Sequence, residues 1–493
     1  LTRDDDTILS FGDGIAHHFV TSLATIEVVA NHRSERLMDY YRFFQSALSE
    51  SKKDPIKQVF LLPGKDKRKA DALATLLLRH DIDVGKISKK FSLRGFDMAT
   101  GKSGQFEVSD GSYVVDYSDR NYRLIKTFLD RDIPLQSEFA VQELKKMLEN
   151  SLRSAQEKKR HAFYDVTAWN LPLAMGVKAF WTKSKTVVSS EKLSIDPDFV
   201  TAPGGWANEV LQKDGGTETP ARSAYIWEPY SEGSGRLVSK LIGEEFKVAI
   251  TSQAMMSGET DFPAGSFIAR VGRNPESLHK RIDALGKDAG VHVFSAQTAF
   301  TDAGPAGTGS PTARTIQAPN VAVLGGSGVD DRSYGSLWFH LEQRIEYPFT
   351  SLDITNLGNA DISGYNVIVL PSGWYSGADE SDIAEVKDWV KAGGNLIAIG
   401  RAAHFIKNSD ILNEDEEENG QADSADAIRE SIAEEIDDTF ESPSADADQP
   451  LPAPGSFLMT DFDQSHWLTF GIEKTEMPVL VRHLPLELSE NGA

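Results

Sequence analysis

The 493-residue chain contains no cysteine. That excludes disulfides, thiolate metal sites and a cysteine nucleophile, and it leaves the redox compartment open. Long apolar runs are missing too: no stretch is long enough to cross a bilayer, and no basic-then-apolar leader is present. Positive charge is in short supply. Lys and Arg number 51 against 74 Asp and Glu, and the net charge of −23 argues against nucleic-acid phosphates and anionic membrane surfaces as partners. Much of the excess lies between Glu414 and Asp448, where Arg429 is the lone basic residue. Such acidic, aromatic-poor composition buries too little apolar surface to offset its ordering entropy, so residues 412–454 read as a disordered insertion. Their carboxylate spacing matches no calcium-binding loop.

What is present is an alternation of helical and strand-like periods over several domains. Phe19, Leu23, Ile26, Val29, Leu37, Tyr41 and Phe44 recur at three- to four-residue spacing, predicting a helical segment over residues 1–55. Val59–Pro63 reads as a strand, followed by a helix through Leu73 and Leu77, a hairpin, the strand Gly111–Val115 and a helix through Phe128. The same order returns at Ala224–Pro229, a helix through Leu237 and Leu241, the strand Gly265–Ala269 and a helix through Ile282 and Leu285. Residues 56–150 and 223–303 are therefore expected to be two copies of one small α/β unit, joined by a connecting segment over 151–222. A Gly/Pro-rich linker occupies residues 304–318. Beyond it, the apolar strands at Val321, Val367 and Asn395 alternate with helices. They predict a doubly wound parallel sheet over residues 319–411, to which 455–493 return.

The run His161-Ala162-Phe163-Tyr164-Asp165-Val166-Thr167-Ala168-Trp169-Asn170-Leu171-Pro172-Leu173-Ala174-Met175-Gly176-Val177 resembles a segment downstream of the catalytic domain in bacterial carboxypeptidase A-type zinc peptidases. The segment from Gly265 and the stretch Pro319–Ile399 carry the same resemblance, the latter to a class I glutamine-amidotransferase-like, flavodoxin-like module. The resemblance implies an α/β multidomain chain: two related small units plus that doubly wound domain, the C-terminal region of a longer protein. The parent would remove C-terminal residues from peptides with zinc-activated water, and peptide or protein substrates would be its partners. It would be secreted or periplasmic. Its zinc ligands, its substrate-binding arginine and its glutamate base are expected before Leu1, so this chain is expected to bind no catalytic zinc, to need no cofactor and to be inert by itself. The alternative is a non-catalytic module that binds peptide or glycan. Peptide specificity and oligomeric state are not legible.

His32-Arg33-Ser34-Glu35, with His161 downstream, has the spacing of a zinc pair, but Arg33 and Arg36 would oppose a dication, so the pair reads as surface polarity of a helix. His17 and His18 point about 100° apart on a helix and converge on nothing. In an amidotransferase a cysteine stands at the strand-to-helix elbow; here the elbow reads Gly400-Arg401-Ala402-Ala403, and a guanidinium is no nucleophile. Arg401 is the candidate anion-binding residue, at the usual ligand crevice of such sheets. Gly325-Gly326-Ser327-Gly328 lacks a full phosphate-binding fingerprint and reads as a tight turn. Trp169, Trp181, Trp206 and Trp227 read as packing residues, with a peptide groove among them as the alternative.

Overall fold

The computed structural model describes residues 7–131, 169–194, 215–301, 307–409, 411, 456–473 and 475–481, with isolated positions between 139 and 159. The predicted N-terminal helix is two helices, α1 (Phe11–Asn31) and α2 (Arg33–Ser51), joined at His32. Ser10 and Asp13 start α1 with a reciprocal capping box. The apolar stripe does not face a core: α1 has no buried residue, and α2 buries only Ala47 and Ser51.

The first α/β unit comprises β1 (Gln58–Leu62), α3 (Lys67–Arg79), β2 (Val84–Ile87), β3 (Phe91–Asp97), β4 (Ser103–Val108), β5 (Tyr113–Asp116) and α4 (Tyr122–Leu129). It continues through α5 (Leu171–Ala174), β6 (Lys178–Thr182) and β7 (Ser190–Lys192). The seven strands are ordered β4-β3-β6-β1-β5-β2-β7, and every neighbouring pair is antiparallel. The second unit comprises β8 (Gly216–Thr217), β9 (Ala224–Trp227), α6 (Glu232–Gly243), β10 (Ala249–Thr251), β11 (Met255–Ser257) and β12 (Thr260–Phe262). It closes with β13 (Phe267–Arg270), α7 (Leu278–Ala289), β14 (His292–Ala296) and β15 (Ala313–Thr315), in the order β15-β10-β13-β9-β14-β8.

Within these sheets, β6-β1-β5-β2 and β14-β9-β13-β10 are the same arrangement, a split β-α-β order of fourth, first, third and second strand. The correspondence extends to single bonds. Asp81 and Glu245 both take left-handed backbone after the first helix, at φ 59° and 64°. Ile82 N then donates to Leu77 O at 3.1 Å, and Phe246 N to Leu241 O at 2.9 Å. Gly111 and Gly265 both turn the chain at φ 82° and 86°, ahead of the fully buried Ser112 and Ser266.

Two expected boundaries are corrected. The segment expected to be a connector, 151–222, supplies β6 and β7 to the first sheet and β8 to the second; β6 lies between β1 and β3 and completes the unit. The expected linker contributes β15, which pairs with β10.

The third domain holds β16 (Val321–Gly325), α8 (Asp331–Trp338), β17 (Thr350–Asp353), β18 (Val367–Leu370), α9 (Glu380–Lys391), β19 (Asn395–Ala398) and α10 (Ala402–Asn408). Its sheet is wholly parallel, in the order β17-β16-β18-β19. Alternation along β16 sends Val321 and Val323 to Leu337 and Leu341 on one face, and Ala322 and Leu324 to Leu357, Val386 and Trp389 on the other. Gly393, at φ 102°, ends α9 in the left-handed cap expected from the Gly-Gly pair. This domain meets the second unit at Glu346, which pairs with Arg236 and Lys240 of α6 and whose carbonyl accepts from Ser239 Oγ at 3.0 Å. Residues 456–481, expected to rejoin the parallel sheet, instead form a separate ribbon of β20 (Ser456–Asp461) and β21 (Glu476–Val481). The ribbon packs against α5.

A buried polar network braces the first unit. Asp54 Oδ2 accepts from Tyr122 Oη at 2.6 Å and Lys126 Nζ at 2.8 Å, while Asp130 accepts from Tyr117 Oη at 3.0 Å and pairs with the same lysine. Burial disfavours the Asp54 carboxylate, but the hydrogen bonds from Lys126, Tyr122 and Ile56 N outweigh it and hold its pKa below 3.8. Burial prevails at Asp130 and raises its pKa. Asp54 thus contributes stability above its unfolded pKa, and that contribution is lost as pH falls through its lowered folded value. Lys126→Met should reverse this dependence by leaving two unpaired carboxylates whose folded pKa values rise. With Lys126 42% exposed, the expected cost at pH 7 is about 1–2 kcal/mol. Urea unfolding should show that deficit shrinking as pH is lowered towards 4; a deficit independent of pH would contradict the network's role.

Candidate functional site

The turns that follow β1 and β9 face each other across the boundary between the two units. Pro63-Gly64 bends the chain out of β1, and Asp66 caps α3 by accepting from Arg68 N at 3.2 Å. Ser231 caps α6 in the same way, accepting from Ser234 N at 3.1 Å. Between the turns lies a cleft of about 610 Å³. Strand alternation makes its floor: Tyr225 and Trp227 pack in the helix-covered core, while Ile226 packs on the opposite face with Phe262 and Phe294. Those three line the cleft. Lys65, Lys67 and Arg68 line it from the first unit together with Asp66 and Asp71, leaving that wall cationic in balance, and Glu218 and Glu228 form an anionic wall from the second.

The walls are tied together. Lys65 Nζ lies 3.0 Å from Glu228 Oε1 and 5.2 Å from the Tyr230 ring centroid, and Lys65 N donates to Glu473 Oε2 at 3.3 Å. The hydrogen bond to Glu228 raises the Lys65 pKa, so this ammonium stays charged. Deeper on the same wall, Tyr113 Oη donates to Asp71 Oδ1 at 2.6 Å, and burial lifts the Asp71 carboxyl above its ordinary value. Arg68 reaches across the boundary into a notch beside Gly233 and Gly290, where a side chain on Gly290 would stand on its guanidinium.

A smaller adjoining cavity, about 170 Å³, lies between the first unit and the ribbon and is lined by Leu62, Pro172, Val177, Ile472 and Glu473. The described end of the segment 161–177 is found here. Asn170 Oδ1 accepts from Leu173 N at 2.9 Å, and its Nδ2 donates to Asp130 O at 3.0 Å, joining α5 to the end of α4. Asn170 is buried, so its work is structural. His161 to Ala168 lie outside the described residues.

Arg401 stands at the carboxyl end of the parallel sheet, as expected from its position after β19. Its guanidinium lies 4.6 Å from the centroid of Trp374, a residue 68% exposed, and the Arg401 backbone N–H donates to Ser372 Oγ at 3.3 Å. The strained residue of this elbow is Gly400, at φ 59°, with Ser372 packed where a Cβ would stand. The side chain raised over the sheet is therefore Arg401, not a nucleophile. Trp374 went unnoticed in the sequence, although it closely follows β18, at the edge where the strand order reverses. The Gly325–Gly328 turn is tight: Gly326 and Gly328 take φ 98° and 87°, and Gly328 O accepts from Trp374 N at 2.8 Å.

His32 Nδ1 and Glu35 Oε2 lie 2.8 Å apart on the exposed helix surface and satisfy each other. Among the described residues, which do not include His161, no group of three His, Cys, Asp or Glu side chains converges on a common point. His17 and His18 are exposed on α1. Trp181 stacks on Phe96 at 4.3 Å, Trp227 is buried, Trp169 is partly exposed, and Trp206 lies outside the described residues. These tryptophans do not line one groove; of the described three, Trp227 alone borders the cleft.

Compared with protein families, curated proteins and solved structures, the chain matches none. The case for a function rests on the cleft.

Its dependence on Arg68 can be tested at Gly290. Alanine there must hold left-handed backbone at φ 60° and displace the guanidinium, an expected loss of about 1–2 kcal/mol. Gly272→Ala, which adds a methyl in open space, should change stability by no more than about 0.5 kcal/mol. Equal urea midpoints for the two variants would contradict the notch.

Proposed function

We propose that the chain is a non-catalytic, peptide-binding accessory region of a secreted bacterial protein of the carboxypeptidase A type, whose parent hydrolyses C-terminal peptide bonds. The observation that carries this reading is the two-sided cleft: an apolar floor at Ile226, Phe262 and Phe294 between a wall of Lys65, Lys67 and Arg68 and a wall of Glu218 and Glu228. A peptide offers that combination, with apolar side chains along a chain whose termini and charged side chains carry both signs. The volume lies within the usual range of ligand sites, about 300–1,000 Å³. The paired charges on opposite walls orient a bound chain, and a uniformly charged glycan would meet repulsion from one wall.

Calorimetric titration with short peptides bearing an aromatic residue is expected to show binding. Phe294→Ala should weaken it about tenfold, or ~1.4 kcal/mol, through loss of floor area, with the thermal transition retained as a check on folding. A panel of such peptides that fails to bind the intact protein would refute the reading. A second reading, anion capture at Arg401, is favoured by the exposed stack on Trp374. Inorganic phosphate should then alter Trp374 fluorescence in the wild type but not in Arg401→Ala.

A further inference from the structure

The ribbon sends its connecting turn across both units. Phe470 packs against the left-handed turn at Gly265, where a Cβ would stand 2.6 Å from Phe470 Cβ, and Gly471 lies against the Pro229 carbonyl. The strap then reaches the first unit, and Glu473 places its carboxylate beside Gly64 and Lys65. A Cβ on Gly64 would stand 3.3 Å from Glu473 Oε2, so the absent side chain leaves room for this oxygen. Its one hydrogen bond among the described residues, from Lys65 N at 3.3 Å, is at the outer limit of such bonds and weak. The Lys65 ammonium, 46% exposed, is paired instead with Glu228. The carboxylate is thus held loosely in the smaller cavity where it adjoins the cleft at Tyr230, beside a cation and a backbone N–H that it engages only at long range.

We propose that Gly64, Lys65 and Tyr230 form a carboxylate-recognising subsite where the smaller cavity adjoins the cleft, and that Glu473 occupies it as an internal ligand that a bound peptide's carboxylate displaces. The inference rests on the peptide-binding reading of the cleft and names the group recognised there. The strap supplies the pattern of the external ligand, since Phe470-Gly471-Ile472-Glu473 carries an aromatic and an aliphatic side chain ahead of an acid. An acidic side chain and a free C-terminus share this chemistry. Displacement breaks one long hydrogen bond and forms a new one at the same N–H, with Lys65 supplying charge to whichever carboxylate is present.

Three probes separate the sources: acetyl-Phe-Gly-Ile-Glu amide, acetyl-Phe-Gly-Ile-Gln with a free C-terminus, and acetyl-Phe-Gly-Ile-Gln amide, which has no carboxylate. Calorimetry on the intact protein should show at least one acidic peptide binding about three- to fivefold more tightly than the neutral one, the range of a half-exposed charge pair. Glu473→Gln should tighten that acidic peptide about threefold and leave the neutral one unchanged. Gly64→Ala, which narrows the notch without touching Lys65, should weaken the acidic peptide selectively. Equal affinity for all three peptides, or no response to Glu473→Gln, overturns the subsite while leaving the cleft's peptide binding intact. Failure of all three to bind either wild type or Glu473→Gln overturns both.

Discussion

The meeting of two turns, Pro63–Arg68 and Glu228–Ser234, sets everything else near the cleft. Each turn is a capped transition from strand to helix, stable within its own unit, and neither builds a site alone. Their union depends on Lys65 reaching Glu228 and Tyr230, and on Arg68 entering the notch left by Gly233 and Gly290. A half-exposed ion pair contributes only about 0–1 kcal/mol. The junction is therefore held chiefly by the close approach of the Arg68 guanidinium that Gly233 and Gly290 permit, with the Lys65–Glu228 pair selecting the register.

The split β-α-β order explains why the cleft forms where it does. In each unit the first strand is central, flanked by the third and fourth, and the loop after it leaves from the middle of the sheet's edge. Two copies facing each other bring two such loops together. The copies then diverge in one respect that creates the space. In the first unit the hairpin β3–β4 joins the sheet through β6, whereas in the second β11–β12 pair with each other and pack over the sheet face through Met255 and Phe262. The second unit thus has a wall at Phe262 where the first has only more sheet.

Much of this order was legible in local pattern. Gly-Ser before an aromatic residue marks both third strands because a left-handed turn and a buried hydroxyl are local demands, met at Gly111-Ser112 and Gly265-Ser266 alike. The unbroken apolar runs of β16 and β18 likewise announced strands buried on both faces. What escaped were features set by pairing at long range. β6 is separated from β1 by more than a hundred residues, and nothing in its own short run, Lys178–Thr182, says which strand it joins. The ribbon reads as strand, but its failure to join the parallel sheet is a property of the partner edge. The cleft was illegible because Lys65, Glu228 and Glu473 are unremarkable singly. Arg401 is legible only through the resemblance of Gly400-Arg401-Ala402-Ala403 to an amidotransferase elbow, and its stacking on Trp374 has no local signal.

The N-terminal helices pose the opposite relation between sequence and packing. Their spacing of apolar residues predicts helix correctly, yet the stripe that usually explains such spacing lies open: Phe19, Leu23 and Ile26 are all more than half exposed. Helix formation in α1 therefore rests on local terms, the Ser10–Asp13 capping box and the backbone ladder. Only towards its end does α2 gain tertiary support, where Arg123 of α4 donates to Phe43 O at 2.6 Å and to Ser46 Oγ at 3.0 Å. The tertiary support of these helices is therefore concentrated at the end of α2, where Ala47 and Ser51 are buried. The cleft, by contrast, lies between two cored units, whose packing fixes the separation of its walls. A binding site at that junction gains its preorganisation from the sheets on either side and owes none to the helices that precede them.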